Sequence, residues 1–146
     1  MYQLRPIGIV HSLFKRREDV PTRGPIQYEA IGEIEIFKEY EDGLKDIDGF
    51  SHIVVLWIFH QSKGYELLVE PLAYKGLRGV FATGHPDRPN PIGLTVVKLI
   101  CRDKNVLRVK GIDMADRSPV VDIKPYVYSY VRKDIRLGWI ETAERR

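Results

Sequence analysis

Apolar and polar residues alternate along Ile7-Gly8-Ile9-Val10-His11-Ser12 and Glu33-Ile34-Glu35-Ile36, a period that suits strands with one face on a core and the other in water. His52 to His60 has no polar face in its Val, Ile, Leu, Trp and Phe content, so it predicts a fully buried strand at the centre of the core. Two further β-rich runs, Ile92 to Cys101 and Val106 to Ile112, are joined by Arg102-Asp103-Lys104-Asn105, a turn-forming cluster of hairpin length. Val120-Val121-Asp122-Ile123 supplies another strand. Tyr40 to Ile47 predicts a short helical turn with Leu44 and Ile47 on one side, weakened by Gly43. The charged stretch Lys15 to Pro25 carries Pro21, Gly24 and Pro25 and reads as a mobile loop. Tyr126, Tyr128 and Tyr130 alternate like a strand, whereas Lys133 to Arg146 has no period and is expected to fray or pack on a partner. Many short strands without sustained helical periodicity predict a mainly β domain with a few short helical segments, closed as a barrel or a sandwich.

The chain has 146 residues, 44% of them hydrophobic, enough for one core and one domain spanning 1–146. Lys and Arg number 23 against 20 acids, for a net charge of +3; this permits a phosphate-bearing partner without requiring one. Cys101 is the only cysteine, which excludes an intrachain disulfide and paired-cysteine zinc sites and fits a reducing compartment. The longest strongly apolar run, Ile53 to Phe59, falls far short of the ~20 residues that span a bilayer. The start, Met1-Tyr2-Gln3-Leu4-Arg5-Pro6, lacks a signal-peptide core. A cytoplasmic location without membrane association is expected.

The stretch Gly79 to Thr95 combines a strand-like start with Pro86, Pro89 and Pro91. Each proline fixes φ and restricts the residue before it, so Arg88 and Asn90 are expected in extended geometry, with nearby carbonyls open to a ligand. Such preorganised polar groups suit a methyl-transfer site, where a sulfonium and an amine must be oriented away from water. A proline-rich surface connection would have the same spacing. There is no glycine-rich phosphate loop, His-Glu-x-x-His helix or dinucleotide fingerprint, which argues against a conventional nucleotide-binding fold.

At this loop the chain resembles the TrmO family, also called YaeB-like or TsaA-like, whose pattern is similar to Gly-Val-Phe-Ala-Thr-Arg-Ser-Pro-x-Arg-Pro-Asn-Pro-Ile-Gly. Asp48 to His52 with Leu56 to His60 resembles the family's central strand. Ser118-Pro119-Val120-Val121-Asp122-Ile123-Lys124-Pro125-Tyr126 resembles its Thr-Pro-Val-x-Asp-Ile-Lys-Pro-Tyr segment, and Ile7-Gly8 and Pro21-Thr22-Arg23 agree in order. The resemblance implies a β-barrel methyltransferase, commonly dimeric, that uses S-adenosylmethionine to methylate the N6 nitrogen of threonylcarbamoyladenosine beside the tRNA anticodon. By matched position it implies cofactor contacts at Pro21, Thr22, Arg23, His60, Gln61, Leu94, Asp116, Arg117, Ser118 and Pro119. Arg88, Asn90, Asp122 and Lys124 are the candidates for substrate orientation and catalysis. Gly84-His85 stands where the family has Arg-Ser, which removes a guanidinium that His85 or Arg117 could replace. Longer members carry an additional C-terminal region beyond the part this chain matches.

Each candidate has a plainer alternative. Asn90 could orient the exocyclic nitrogen or close an Asx turn before Pro91. Asp122 could face the cofactor's positive charge or be a buried carboxylate paired with Lys124. Arg23 and Arg88 could bind a carboxylate or phosphate or be solvated loop charges. His60 is placed at the rim of the cofactor site, while His11, His52 and His85 read as structural or exposed, and no metal is expected. The C-terminal tyrosines could stack on bases or fill a core or interface. Competing functions are a methyltransferase of the same fold acting on another nucleoside or small molecule, and a non-catalytic module that binds S-adenosylmethionine or RNA.

Overall fold

Each alternating run becomes a strand whose inward residues meet around one axis. The computed structural model describes residues 1–20 and 29–145. In chain order the strands are β1 (Gly8–His11), β2 (Ile31–Ile36), β3 (His52–Ile58), β4 (Leu68–Val69), β5 (Arg78–Gly79), β6 (Ile92–Asp103), β7 (Val106–Lys110) and β8 (Pro119–Pro125). A closed barrel forms in the order β1-β2-β7-β6-β3-β8, while β4 and β5 pair as a separate ribbon. All pairings are antiparallel. The barrel outcome resolves the barrel-or-sandwich alternative, and short 3-10 helices supply the helical segments.

Inward positions are filled by Val10, Ile34, Ile36, Ile53, Val55, Val97, Leu107, Val109 and Val120, all buried. The barrel is thus a packed core and not a channel. Registers fix its two ends. At one, the mouth, β1 ends at His11, β3 at Ile58 and β7 at Lys110. At the other, the base, the segment after β2 forms 3-10 helices over Lys38–Leu44 and Ile47–Gly49, with Leu44 buried in the core.

Several expectations need correction. β3 ends at Ile58 and is not buried throughout: its outward residues His52, Leu56 and Ile58 are only partly covered, because one face of that strand lies outside the barrel. The hairpin strands run Ile92–Asp103 and Val106–Lys110, so only Lys104 and Asn105 form the turn, with Lys104 at φ 56°. Within Lys15 to Pro25, Arg17–Asp19 forms a 3-10 turn and positions 21–25 lie outside the described residues. The tyrosine alternation does not extend β8. The strand stops at Pro125, and Tyr128–Tyr130 makes a 3-10 turn that stacks Tyr130 on Tyr126. The ribbon of β4 and β5 was not foreseen, since two-residue strands carry no period.

Near the C-terminus Trp139, Glu144 and Arg145 lie against their own chain. The Trp139 indole N–H donates to the Ala82 carbonyl at 2.7 Å, Trp139 packs edge-on against Tyr74, and Arg78 sits over its ring at 5.0 Å. The Lys75 amide also donates to the Glu144 carbonyl at 3.0 Å.

β6 and β3 are pinned together at Gly93, where an added Cβ would overlap the Trp57 ring. Gly93→Ala is therefore expected to lower stability by about 1–3 kcal/mol through overpacking. Gly43→Ala, whose Cβ would meet no atom within 4 Å, should leave it unchanged or slightly raised. Urea midpoints of the two variants would check this.

Candidate cofactor and substrate site

Beyond Ile58 the chain turns sharply at the mouth. The His60 amide donates to the Ile58 carbonyl at 2.9 Å and the Ser62 amide to the Phe59 carbonyl at 3.0 Å. This brings His60, Gln61 and Ser62 beside the segment that leaves β1. A cleft of about 670 Å³ opens there, lined by Arg16, Arg17, Glu18, His60, Gln61, Ser62, Lys63, Gly64, Tyr65, Glu66 and Asp87. That volume lies within the range of small-molecule sites.

Hydrogen bonds tie the wall of the cleft to the loop before β8. Gln61 accepts from the Arg17 amide at 2.9 Å through Oε1 and donates to the Lys15 carbonyl at 3.1 Å through Nε2. Asp116 in turn accepts from the Ser12 amide at 2.9 Å and from Lys15 Nζ at 3.4 Å, while Ser12 Oγ donates to the Met114 carbonyl at 2.8 Å. Burial pushes the Asp116 carboxyl up, but the Ser12 and Lys15 contacts outweigh it and hold the group below its ordinary range. Gln61 and Asp116 therefore belong to one bonded unit, with Ser12 to Arg17 as the link, and His60 precedes Gln61 on the cleft wall.

Arg117 follows in the left-handed region at φ 69°, a conformation that costs a non-glycine residue about 1 kcal/mol. Its amide donates to the Val10 carbonyl at 2.7 Å, which holds it there. Ser118 is buried, its hydroxyl donating to the Ala115 carbonyl at 2.6 Å, and Pro119 begins β8 opposite Ile9. Ser118 is thus a structural part of the loop.

The proline-rich loop closes on itself. Pro86 accepts at its carbonyl from the Arg88 amide at 2.9 Å and from Ser62 Oγ at 3.2 Å, and the Pro91 carbonyl accepts from the Phe59 amide at 2.7 Å. Arg88 Nη1 donates to the carbonyls of Thr83 at 2.8 Å and His85 at 3.3 Å, on either side of Gly84. Its guanidinium is a clamp across the glycine and not a free loop charge. Carbonyls of Pro86, Pro91, Thr83 and His85, in the stretch expected to leave carbonyls open to a ligand, are consequently engaged within the chain. Asn90 is exposed, and its backbone carbonyl accepts from the Ile92 amide at 2.7 Å. Among the described residues its side-chain amide has no hydrogen-bond partner, so the Asx turn does not form.

Asp87 joins the loop to the cleft by accepting from Arg17 Nη1 and Ser62 Oγ, each at 2.8 Å. The Arg17 hydrogen bond is the main reason its carboxyl lies below the ordinary range. The Asp87 amide donates to His85 Nδ1 at 3.1 Å, which makes that nitrogen the acceptor. Burial lowers the His85 pKa from 6.5, opposed by the Asp87 carboxylate and assisted by the Arg17 and Arg88 guanidinium groups. His85 is accordingly neutral at pH 7 and does not replace a guanidinium.

Asp122 and Lys124 lie elsewhere, on the outside of β8. Their side chains pair at 3.0 Å and are 44% and 53% exposed, so this is a half-exposed pair and not a buried one. They border a second cleft of about 610 Å³ between β8 and the base helices. Leu94 is 64% exposed on the outside of β6, in one row with Leu56 and Asp122. Pro21, Thr22 and Arg23 lie outside the described residues.

Sequence reasoning passed over Arg17, Ser62 and Asp87, and also a polar chain inside the mouth. Trp57 Nε1 donates to Thr95 Oγ1 at 3.0 Å, and Thr95 donates to Asp113 Oδ1 at 2.6 Å. The only signal was an acid next to Ile112 at the end of a β run.

With this geometry in view, the relatives can be placed. The model of the tRNA-methyltransferase O N-terminal domain matches residues 9–131. The chain belongs to that family. It is 49% identical over 138 residues to a probable S-adenosyl-L-methionine-binding protein of Pyrococcus abyssi, covering 94% of this chain and 75% of that one. With the tRNA (adenine(37)-N6)-methyltransferase of Escherichia coli it shares 36% identity over 136 residues, covering 86% of this chain and 58% of the enzyme. The crystal structure of TrmO from Pseudomonas aeruginosa superposes with a TM-score of 0.81 at 32% identity, covering 99% of this chain and 65% of that one. The chain thus spans about three fifths of the bacterial enzyme and two thirds of the solved TrmO chain.

Burial raises the Asp113 carboxyl pKa from 3.8, opposed by the Thr95 hydrogen bond. A pKa raised on folding contributes stability below the unfolded value and loses it as pH rises through the folded value. Asp113→Asn removes this loss, so its stability relative to the parent chain should increase between pH 4 and pH 7. Urea midpoints of both proteins at the two pH values test the sign.

Proposed function

We propose that this chain, an S-adenosylmethionine-dependent tRNA methyltransferase by family, methylates the N6 nitrogen of threonylcarbamoyladenosine beside the tRNA anticodon, as a cytoplasmic homodimer. The observation that carries the reading is the bonded unit at the mouth. His60 and Gln61, matched to family cofactor contacts, line the cleft there, and Asp116, matched likewise, is tied to its wall through Lys15. The cleft fits a ligand whose amino-acid end carries both signs, because Arg16, Arg17 and Lys63 line it together with Glu18, Glu66 and Asp87.

The bound cofactor supplies an electrophilic methyl group on sulfur. The chain supplies position and exclusion of water. Asn90 is the residue we assign to the substrate: its side-chain carbonyl accepts the N–H of the attacking nitrogen and holds the lone pair in line, so that the N–C bond would form as the methyl–sulfur bond breaks, the thioether leaves and the N6 proton is released to solvent. Arg88 is a positioning residue that keeps the Asn90 loop in place through the Thr83 and His85 carbonyls. The Asp122–Lys124 pair takes contacts of the substrate on the barrel's flank. Arg117 is the cation we assign in place of the guanidinium missing at Gly84, since it stands beside Asp116 in a strained conformation and His85 is neutral. For the homodimer we assign the mouth side of the outer row of β6, where Ile92, Leu94 and Val96 are 38%, 64% and 39% exposed.

The first test gives the protein S-adenosylmethionine and tRNA that carries threonylcarbamoyladenosine without its methyl group, followed by digestion and mass spectrometry. One added methyl on that nucleoside is the expected result. Cofactor binding with no transfer to tRNA, free nucleosides or small molecules would favour the non-catalytic reading, which the Pyrococcus abyssi relative's name also suits.

Asn90→Ala is expected to lower turnover at least tenfold with cofactor affinity nearly unchanged, measured by single-turnover kinetics and calorimetry. Arg117→Gly keeps the left-handed backbone and removes the guanidinium; calorimetry should show cofactor binding about tenfold weaker, the loss of one charge-assisted hydrogen bond. Val96→Asp should convert a dimer to monomers in sedimentation experiments.

A further inference from the structure

Three aromatic rings follow one another on the outside of the barrel near its base. His52 and Tyr126 lie 6.3 Å apart at 60°, and Tyr126 and Tyr130 lie 5.7 Å apart at 9°, a stacked pair. The backbone sets this spacing: the Tyr126 amide donates to the His52 carbonyl at 3.2 Å, and the 3-10 turn Tyr128–Tyr130 brings Tyr130 back over Tyr126. His52 itself is held by Ser51 Oγ at 2.8 Å from its Nδ1. The end of the stack faces water, with Tyr130 49% and Tyr128 95% exposed.

Cations accompany it in the fold and in the sequence. Lys98 is the cross-strand partner of His52 on β6, and Lys124 on β8 is close enough to Tyr130 for the two to interact electrostatically. Arg132 and Lys133, both exposed, follow within three residues of Tyr130. Asp122 is already paired with Lys124, which leaves Asp134 as the acid nearest in sequence to this basic pair. An aromatic stack with Lys98 and Lys124 beside it and two further exposed cations next in sequence is suited to a ligand with flat bases and a phosphate backbone. The outer row of β6 is aliphatic toward the mouth at Ile92, Leu94 and Val96 and reaches the aromatic stack at Lys98, so the second copy is placed on the mouth side of the row and the platform on the base side.

We infer that the His52–Tyr126–Tyr130 stack is a base-stacking platform for single-stranded RNA, seating a nucleotide of the anticodon loop on the exposed side of Tyr130 with its phosphates toward Lys98, Arg132 and Lys133. This rests on the tRNA reading of the preceding section. It places the RNA along the flank that also bears Asp122 and Lys124, so the loop is gripped on the side of the barrel while its modified adenosine reaches the mouth.

Binding of unmethylated tRNA and of S-adenosylmethionine would be measured separately for the parent chain, Tyr130→Ala, Tyr130→Phe and Lys98→Ala, with sedimentation of each. Tyr130→Ala is expected to bind tRNA about tenfold more weakly with cofactor affinity and oligomeric state unchanged. Tyr130→Phe, which keeps the ring, should bind like the parent. Lys98→Ala should reduce the slope of log affinity against log salt by about 0.7, the value for one single-strand phosphate contact. Parent-like tRNA binding by Tyr130→Ala overturns the platform alone, and so does loss of the dimer in that variant, which would make the stack a contact between copies. A parent chain that binds the cofactor but no tRNA overturns the tRNA reading and the platform with it.

Discussion

Closure of the barrel along the seam between β1 and β8 is the constraint on which the rest depends. The seam is short. Gly8 pairs with Val120 and Ile9 with Pro119, and the main-chain bonds from Ile7 to Val120 at 2.7 Å and from Val10 to Ser118 at 3.0 Å extend it on both sides. A side chain at Gly8 would overlap the Glu35 carbonyl of the neighbouring strand, so glycine is needed where β1 is packed between β2 and β8. At the upper end of the seam Arg117 adopts its left-handed conformation to return a bond to Val10. Strain of this kind persists only where surrounding contacts over-determine it. Here the contacts are the closure itself, and they set Asp116 against Ser12 and Lys15.

From that seam the electrostatics of the mouth follow. Three aspartates at the mouth and one on the flank have different fates. Asp116 and Asp87 are held ionised by donors from the segment after β1, whereas Asp113 is pushed the other way by burial behind Thr95. Asp122, on the flank, is half exposed and already paired with Lys124. A methyl-transfer site requires little proton movement from the protein, and three of these acids are explained by structure alone: two hold loops together and one completes an internal polar chain. What remains for chemistry is the exposed Asn90 amide and the cations around the cleft, a set suited to orientation.

How much of this was legible in the sequence depended on whether a feature was written in periodicity or in closure. β1, β2, β6, β7 and the core of β3 were visible because their inward residues alternate with polar ones or run continuously apolar, and the hairpin turn at Lys104-Asn105 was visible as a polar cluster. The β4–β5 ribbon was not, since two residues per strand have no pattern to show. The tyrosine alternation after Pro125 gave the wrong element because a period of two is also met by a short turn that brings residues four apart into a stack. For the site, the family resemblance named Gln61 and Asp116 as cofactor contacts, but their link through Ser12, Lys15 and Arg17 spans positions up to 104 residues apart in sequence and has no sequence signal. Arg88 was legible as a loop cation; that its guanidinium would be consumed by carbonyls on either side of Gly84 was not, because the clamp exists only once the prolines have bent the loop.

The absence of a glycine phosphate loop explains why the mouth is built as it is. A doubly wound fold offers a cofactor the amides of one helix terminus, preformed by local backbone geometry. An antiparallel barrel has no such terminus, so its loops must be stiffened by other means. In this chain the means are the three prolines of the 80–91 loop, the Arg88 clamp, the bidentate use of Gln61 and the Asp87–Arg17–Ser62 junction. The Arg88 clamp is local to its loop, whereas the Gln61 and Asp87 contacts join segments that are distant until the barrel closes. Gly84 fits the same logic. With Arg88 bonded to the carbonyls on either side, a glycine there leaves the loop intact, and a Cβ at the position would meet no atom within 4 Å.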